Sequence, residues 1–151
     1  MQVTRLTSEN LPLFKDRVAK LAPDTPRRFG ELSPAGMMRH LRTIIEMSLE
    51  EIPAVDRSTF FSRNIMRVIA FHVLPTWPKG KIKAPAEFTP DAGEFEQERQ
   101  KLFAAFDRFA DALRRDPERS TLHPLFGRHP LRYWARLHGR HFEHHFEQFG
   151  I

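Results

Sequence analysis

Apolar positions recur at three- and four-residue steps in five stretches of the chain, and a proline or glycine follows each one. Leu11, Phe14, Val18 and Leu21 predict a first helix, opened by Thr7-Ser8-Glu9-Asn10 with Ser8 as N-cap. Ala22 to Gly30 holds two prolines and reads as a loop. Ser33 and Pro34 then form a strong helix start, an N-cap followed by a proline at the first helical position. This second helix runs to about Glu51, with Met37, Leu41, Ile44, Ile45, Ser48 and Leu49 on its apolar face and His40 beside it. Ser58 or Thr59 caps a shorter, mostly apolar helix from Phe60 to Val73, whose wet side carries Arg63, Asn64 and Arg67.

Leu74 to Pro90 reads as a long connection containing Pro and Lys. A structureless stretch of that length is uncommon inside a domain and is often functional. Asp91 to Arg115 is the longest clean helix, with Phe95, Arg99, Leu102, Phe106, Phe109 and Leu113 at heptad-like steps. Glu118 to His129 reads as a second loop around His123-Pro-Leu-Phe-Gly127. The last helix starts with Pro130 at its first position and stops at Gly150. Its inner stripe is Trp134, His138, His141, His145 and Phe149. Arg132, Arg136, Arg140, Glu143 and Glu147 form the solvated side. No alternating strand pattern is visible. The expectation is an all-α four-helix bundle with an accessory helix and a long mid-chain loop, one domain over residues 1–151.

Composition narrows the chemistry. There are no cysteines, so disulfides and thiolate ligands are excluded, and any metal site must use His and carboxylates. Fourteen phenylalanines supply much of the core volume. The net charge of +5 favours acidic ligands, but the Lys and Arg are scattered. The basic Phe60–Val73 helix and the Lys79–Lys83 loop are the candidates for touching an anionic surface. No groove-reading motif is present, so no nucleic-acid partner is expected. No apolar stretch is long enough to span a membrane and the N-terminus has no signal core, which together fit a cytoplasmic protein.

Four of the eight histidines lie between His138 and His145. His141 and His145 are the one H-x-x-x-H pair among them. On a helix they stand on one face about 6 Å apart along the axis, where two imidazoles can converge on one ion. His138 shares the inner stripe and is a candidate for supporting the site or touching substrate, as is Trp134. His144 is turned away from both and is expected to point outward.

Three motifs carry a family resemblance: Pro26 to His40, reading Pro-Arg-Arg-Phe-Gly-Glu-Leu-Ser-Pro-Ala-Gly-Met-Met-Arg-His; His123-Pro-Leu-Phe-Gly127; and Trp134 to Gly150. Together they resemble the DinB/YfiT-like superfamily, and an uncharacterised bacterial branch of it in particular. Trp77-Pro-Lys-Gly-Lys-Ile-Lys also looks like the mid-chain loop of that branch. The resemblance implies a divalent metal held by three histidines, which by motif are His40, His141 and His145. Zn²⁺ or Ni²⁺ suits such ligands. It further implies an open coordination position for water or a low-molecular-weight thiol, and a thiol-dependent transferase or related hydrolase acting on a small electrophile. A homodimer is also plausible by this resemblance. The alternative is a non-enzymatic bundle that binds a metal or a partner. One departure stands out: relatives often cap the last helix with Thr or Ser, where this chain has Gly127-Arg-His-Pro130.

Overall fold

The apolar face of residues 34–48 sets the centre of the fold. In the computed structural model, which describes residues 5–73, Trp77, Lys79 and 93–151, Ser33 caps helix α2 (Pro34–Ser48). Its Oγ accepts from the Gly36 amide at 3.0 Å. Met37, Met38, Leu41 and Ile45 of α2 are fully buried. Helix α1 (Leu11–Ala19) comes before it, and its N-cap is Asn10 rather than Ser8. Asn10 Oδ1 accepts instead from the Thr7 amide at 2.9 Å and closes the turn that leads into the helix.

Helix α3 (Phe95–Arg115) opens at Glu94, whose carboxylate accepts from the amides of Glu96 and Gln97. Helix α4 (Leu131–Phe149) closes the chain, with Gly150 left-handed at φ 70° as its C-cap. Phe14 of α1 joins these helices: its ring lies 6.4 Å from Phe106 on α3, and 5.6 Å and 6.0 Å from Phe142 and Phe146 on α4. Edge-to-face and tilted rings of this kind add to the energy of area burial.

The all-α expectation is corrected by an antiparallel hairpin of β1 (Ser120–His123) and β2 (Gly127–Pro130), which gives the chain a mixed helix-and-strand architecture. The segment read as a second loop is therefore ordered sheet. The His123 imidazole organises its turn, because Nδ1 accepts from the amides of Leu125 and Phe126 at 3.1 and 3.2 Å. Gly127 follows at φ 75°, a conformation that suits glycine after a three-residue hairpin loop. Thr121 and His129, paired in register, face inward and are buried. Thr121 Oγ1 donates to Ser48 O at 2.8 Å and fixes the hairpin to the end of α2. Pro130 ends β2 and is the N-cap of α4, not its first turn.

The accessory helix is also different in kind. It contains two π-helical segments, Ser62–Met66 and Ile69–Val73, and no side chain of the first is buried. Two outer-face arginines of α4 hold it: Arg140 donates to Ala70 O at 3.0 Å and Arg136 to His72 Nδ1 at 3.2 Å. The long connection expected at Leu74–Pro90 lies outside the described residues except for Trp77 and Lys79, as do the first two residues of the helix expected from Asp91. Among the described residues no helix is long and apolar enough to cross a membrane.

Two charged groups assigned to surface or left unassigned by the pattern are interior. Glu143 is only 8% exposed and pairs with Arg17 of α1 at 2.6 Å. Arg17 also donates to the Ile151 carbonyl, so the chain end packs over what would otherwise be a wet helix face. Glu98 is 1% exposed and sits between Arg39 and Arg42 of α2 at 3.3 and 3.2 Å, an ion-pair seam joining α2 to α3.

Candidate metal centre

Helix periodicity brings three histidines to one point. His40 leaves the middle of α2, and His141 and His145 leave one face of α4 a turn apart. The Nε2 atoms of His40 and His141 are 2.9 Å apart, and those of His145 and His141 are 3.1 Å apart. One nitrogen from each ring lies within 4.8 Å of the others, and all three residues are buried. The rings meet edge to face, with centroids 4.8 to 5.0 Å apart.

The tautomer of His145 follows from its neighbours. Gln148 Nε2 donates to Phe29 O at 2.8 Å, which leaves Gln148 Oε1 to face His145 Nδ1, also at 2.8 Å. A flipped amide would set two oxygens against each other, so His145 Nδ1 carries the proton. The Nε2 lone pair of His145 is then free and aimed at the other two rings. Burial pushes the His145 pKa down to about 3, with the His40 charge adding to the effect and the Gln148 hydrogen bond opposing it. His141 is held well below its ordinary pKa, first by burial and then by His40 and His145. Both are neutral at pH 7, the form in which imidazole binds a metal.

The donor set fits a divalent ion. Bonds of about 2.1 Å place two nitrogens about 3.0 Å apart at a right angle and about 3.4 Å apart at the tetrahedral angle. The two short separations fall at the tight end of that range. The cluster could therefore bind a metal ion through three imidazole nitrogens, with no carboxylate or thiolate among the ligands to offset the cation. Gln148 is the side chain bonded to the cluster that the sequence pattern missed. Its position three residues after His145 is the signal available, since i and i+3 are neighbours on a helix.

The rim is aromatic and basic. The Trp77 ring lies 5.6 Å from that of His141 and 6.2 Å from that of His144. His144 is half-buried between Trp77 and Phe29 rather than directed outward. Lys79 reaches Glu147 at 3.2 Å and lies 5.9 Å over the Phe29 ring.

His138 and Trp134 occupy a different neighbourhood. Ser48 Oγ donates to Ile45 O and accepts from His138 Nε2 at 3.0 Å. The His138 ring packs against Phe109, Trp134 and Phe142. Burial, with His123 and His129 adding to it, lowers the His138 pKa to about 3. Trp134 is fully buried and faces His123, His129 and His138.

No curated protein and no solved structure matches the chain. A family model described as a protein of unknown function, DUF1569, matches residues 1–150, and the chain belongs to that family.

Proposed function

We propose that His40, His141 and His145 hold one divalent ion, Zn²⁺ or Ni²⁺, and that the centre serves a thiol- or water-dependent transfer to a small electrophile. The observation that carries this reading is the convergence of three buried Nε2 atoms, with Gln148 turning the His145 lone pair inward. An ion held there supplies the acidification that makes a bound thiol or water nucleophilic at neutral pH. The chain's own residues do the rest. Neutral ligands leave the cation's full charge available to an anionic nucleophile. With no cysteine in the chain, a thiol must arrive as a low-molecular-weight cofactor. Trp77 stands over His141 as an apolar wall against which an electrophile can rest. Kinship with the DinB/YfiT-like superfamily belongs to this proposal, supported by the three motifs, two of which carry these histidines.

Burial of all three rings also favours a second reading, a metal that stabilises the fold without turnover. Elemental analysis of untagged protein beside His40→Ala and His141→Ala tests the site itself. Near one metal per chain in wild type, lost in both variants, is expected. Absence of metal, with no stabilisation on adding Zn²⁺ or Ni²⁺, would refute it. A screen of thiol–electrophile pairs then separates the two readings: activity lost in the variants supports the enzyme, and a metal-dependent melting temperature without activity supports the structural role.

A further inference from the structure

A cleft of ≈ 460 Å³ opens between the π-helical segment Ser62–Met66 and the hairpin, on residues that take no part in the histidine cluster. Arg63, Arg67 and Arg128 line it against a single carboxylate, Asp56, and Phe126 contributes an apolar wall. Two of the guanidinium groups are held in place. Arg63 donates to Ser58 Oγ at 2.6 Å and lies 3.6 Å from Asp56. Its aliphatic stem crosses Gly127 so closely that a Cβ there would stand 3.3 Å from Arg63 Cγ and Cδ. Arg128 donates to Ser120 O at 2.7 Å and lies 3.4 Å from Glu50.

Arg67 is different. It is half-buried and lines the same cleft, and its guanidinium makes no hydrogen bond or ion pair with any described residue. His129 is 2% exposed and is held neutral by burial, to which the Arg67 charge adds. Arg63 and Arg128 each have a carboxylate, Asp56 and Glu50, whereas the half-buried Arg67 has no counter-charge within ion-pair distance among the described residues. Guanidinium forks match oxyanions in a bidentate manner, and a dianion offsets two of them at once. The volume is that of a small-molecule site. Phe126, whose ring stacks on His123 at 4.6 Å, offers the organic part of such a ligand an apolar surface.

We propose that this cleft is a binding site for a phosphate-bearing small molecule, with Arg67 as its principal anchor and Arg63 and Arg128 as flanking contacts. The site is separate from the histidine cluster and does not depend on the metal.

Isothermal titration of inorganic phosphate and glycerol phosphate, at constant ionic strength in a chloride buffer, tests it. Wild type, chelator-treated wild type, Arg67→Gln and Arg128→Gln are compared, with melting temperatures recorded for each. Expected is saturable binding at one site in wild type, unchanged after chelation and weakened at least tenfold in Arg67→Gln. Arg128 is largely exposed, so Arg128→Gln, weakened severalfold, keeps the test valid if the first variant folds poorly. Failure of both phosphates to saturate, equal affinity in folded Arg67→Gln and Arg128→Gln, or loss of binding on chelation would each overturn the proposal. So would binding confined to a short oligonucleotide with neither phosphate competing, since that marks a nucleic-acid surface.

Discussion

Gln148→Leu is the substitution that most directly tests how the histidine cluster is built. Gln148 is 3% exposed, and its amide does two jobs at 2.8 Å each: it accepts from His145 Nδ1 and donates to Phe29 O. Leucine keeps the bulk and removes both. Each group left unsatisfied costs about 1–3 kcal/mol, so the fold loses roughly 2–6 kcal/mol in total. The His145 ring also loses the bond that fixes its proton on Nδ1. It can then turn, or shift the proton to Nε2 and withdraw its lone pair from the centre. Losing an outer hydrogen bond to a ligating histidine typically lowers metal affinity by about 10–100-fold. Zn²⁺ affinity by chelator competition and stability by urea denaturation of the metal-free protein separate the two effects. Loss of stability with unchanged Zn²⁺ affinity would show that Gln148 is only a bridge to the Phe29 loop and that the tautomer argument is wrong.

Three further outcomes are expected. His138 is buried with a pKa of about 3, against about 6.5 in the unfolded chain, so its contribution to stability is complete above pH 6.5 and is lost as pH falls towards 3. Its share of the slope is about 1.4 kcal/mol per pH unit. Urea midpoints between pH 4.5 and 6.5 should therefore fall less steeply in His138→Leu than in wild type, and parallel slopes would contradict its burial as a neutral ring. Glu98→Gln removes the charge that Arg39 and Arg42 share across α2 and α3, and should cost about 3 kcal/mol in urea denaturation. A loss below about 1 kcal/mol would mean the two arginines find solvent instead. Trp77 faces His141 at 5.6 Å, so stoichiometric Cu²⁺ or Ni²⁺ should quench part of the tryptophan emission in wild type and much less of it in Trp77→Phe. Equal quenching in both would place the bound ion away from His141.

The helices were legible because their periodicity is long and regular. Fifteen residues of α2 and nineteen of α4 keep one apolar face throughout, and a serine–proline start and a glycine stop frame them. The hairpin had no such signal. Each strand is four residues, and one inward pair, Thr121 and His129, carries its burial, while Gly127 and Pro130 sit inside what must be strand. Its stability comes from a histidine side chain bonded to turn amides and from a threonine bonded to the end of α2. The first is a local bond that periodicity does not reveal, and the second is a tertiary contact. Residues 60–73 were legible as helical but not as π-helical, because a π turn differs from an α turn in which backbone groups pair, and over five residues the side-chain pattern does not record that. Glu143 looked exposed on its own helix and is covered only because Arg17 and the chain end fold across it.

The histidine cluster divides along the same line. His141 and His145 are one turn apart on a regular helix, so their convergence can be read from spacing. What fixes the His145 proton is only half legible that way: Gln148 stands at i+3, but the carbonyl that orients its amide has no signal in the spacing. For His145 the chain of cause runs through Gln148 to a backbone carbonyl 119 residues earlier, in a proline-bounded loop with no periodicity. A residue's type and helical phase encode where a ligand stands, whereas its proton is set by whatever loop packs behind it. Two chains with the same H-x-x-x-H pair can therefore differ in metal affinity by one or two orders of magnitude through that loop alone. For this chain the Phe29 loop is as much a part of the candidate centre as the three rings that face each other.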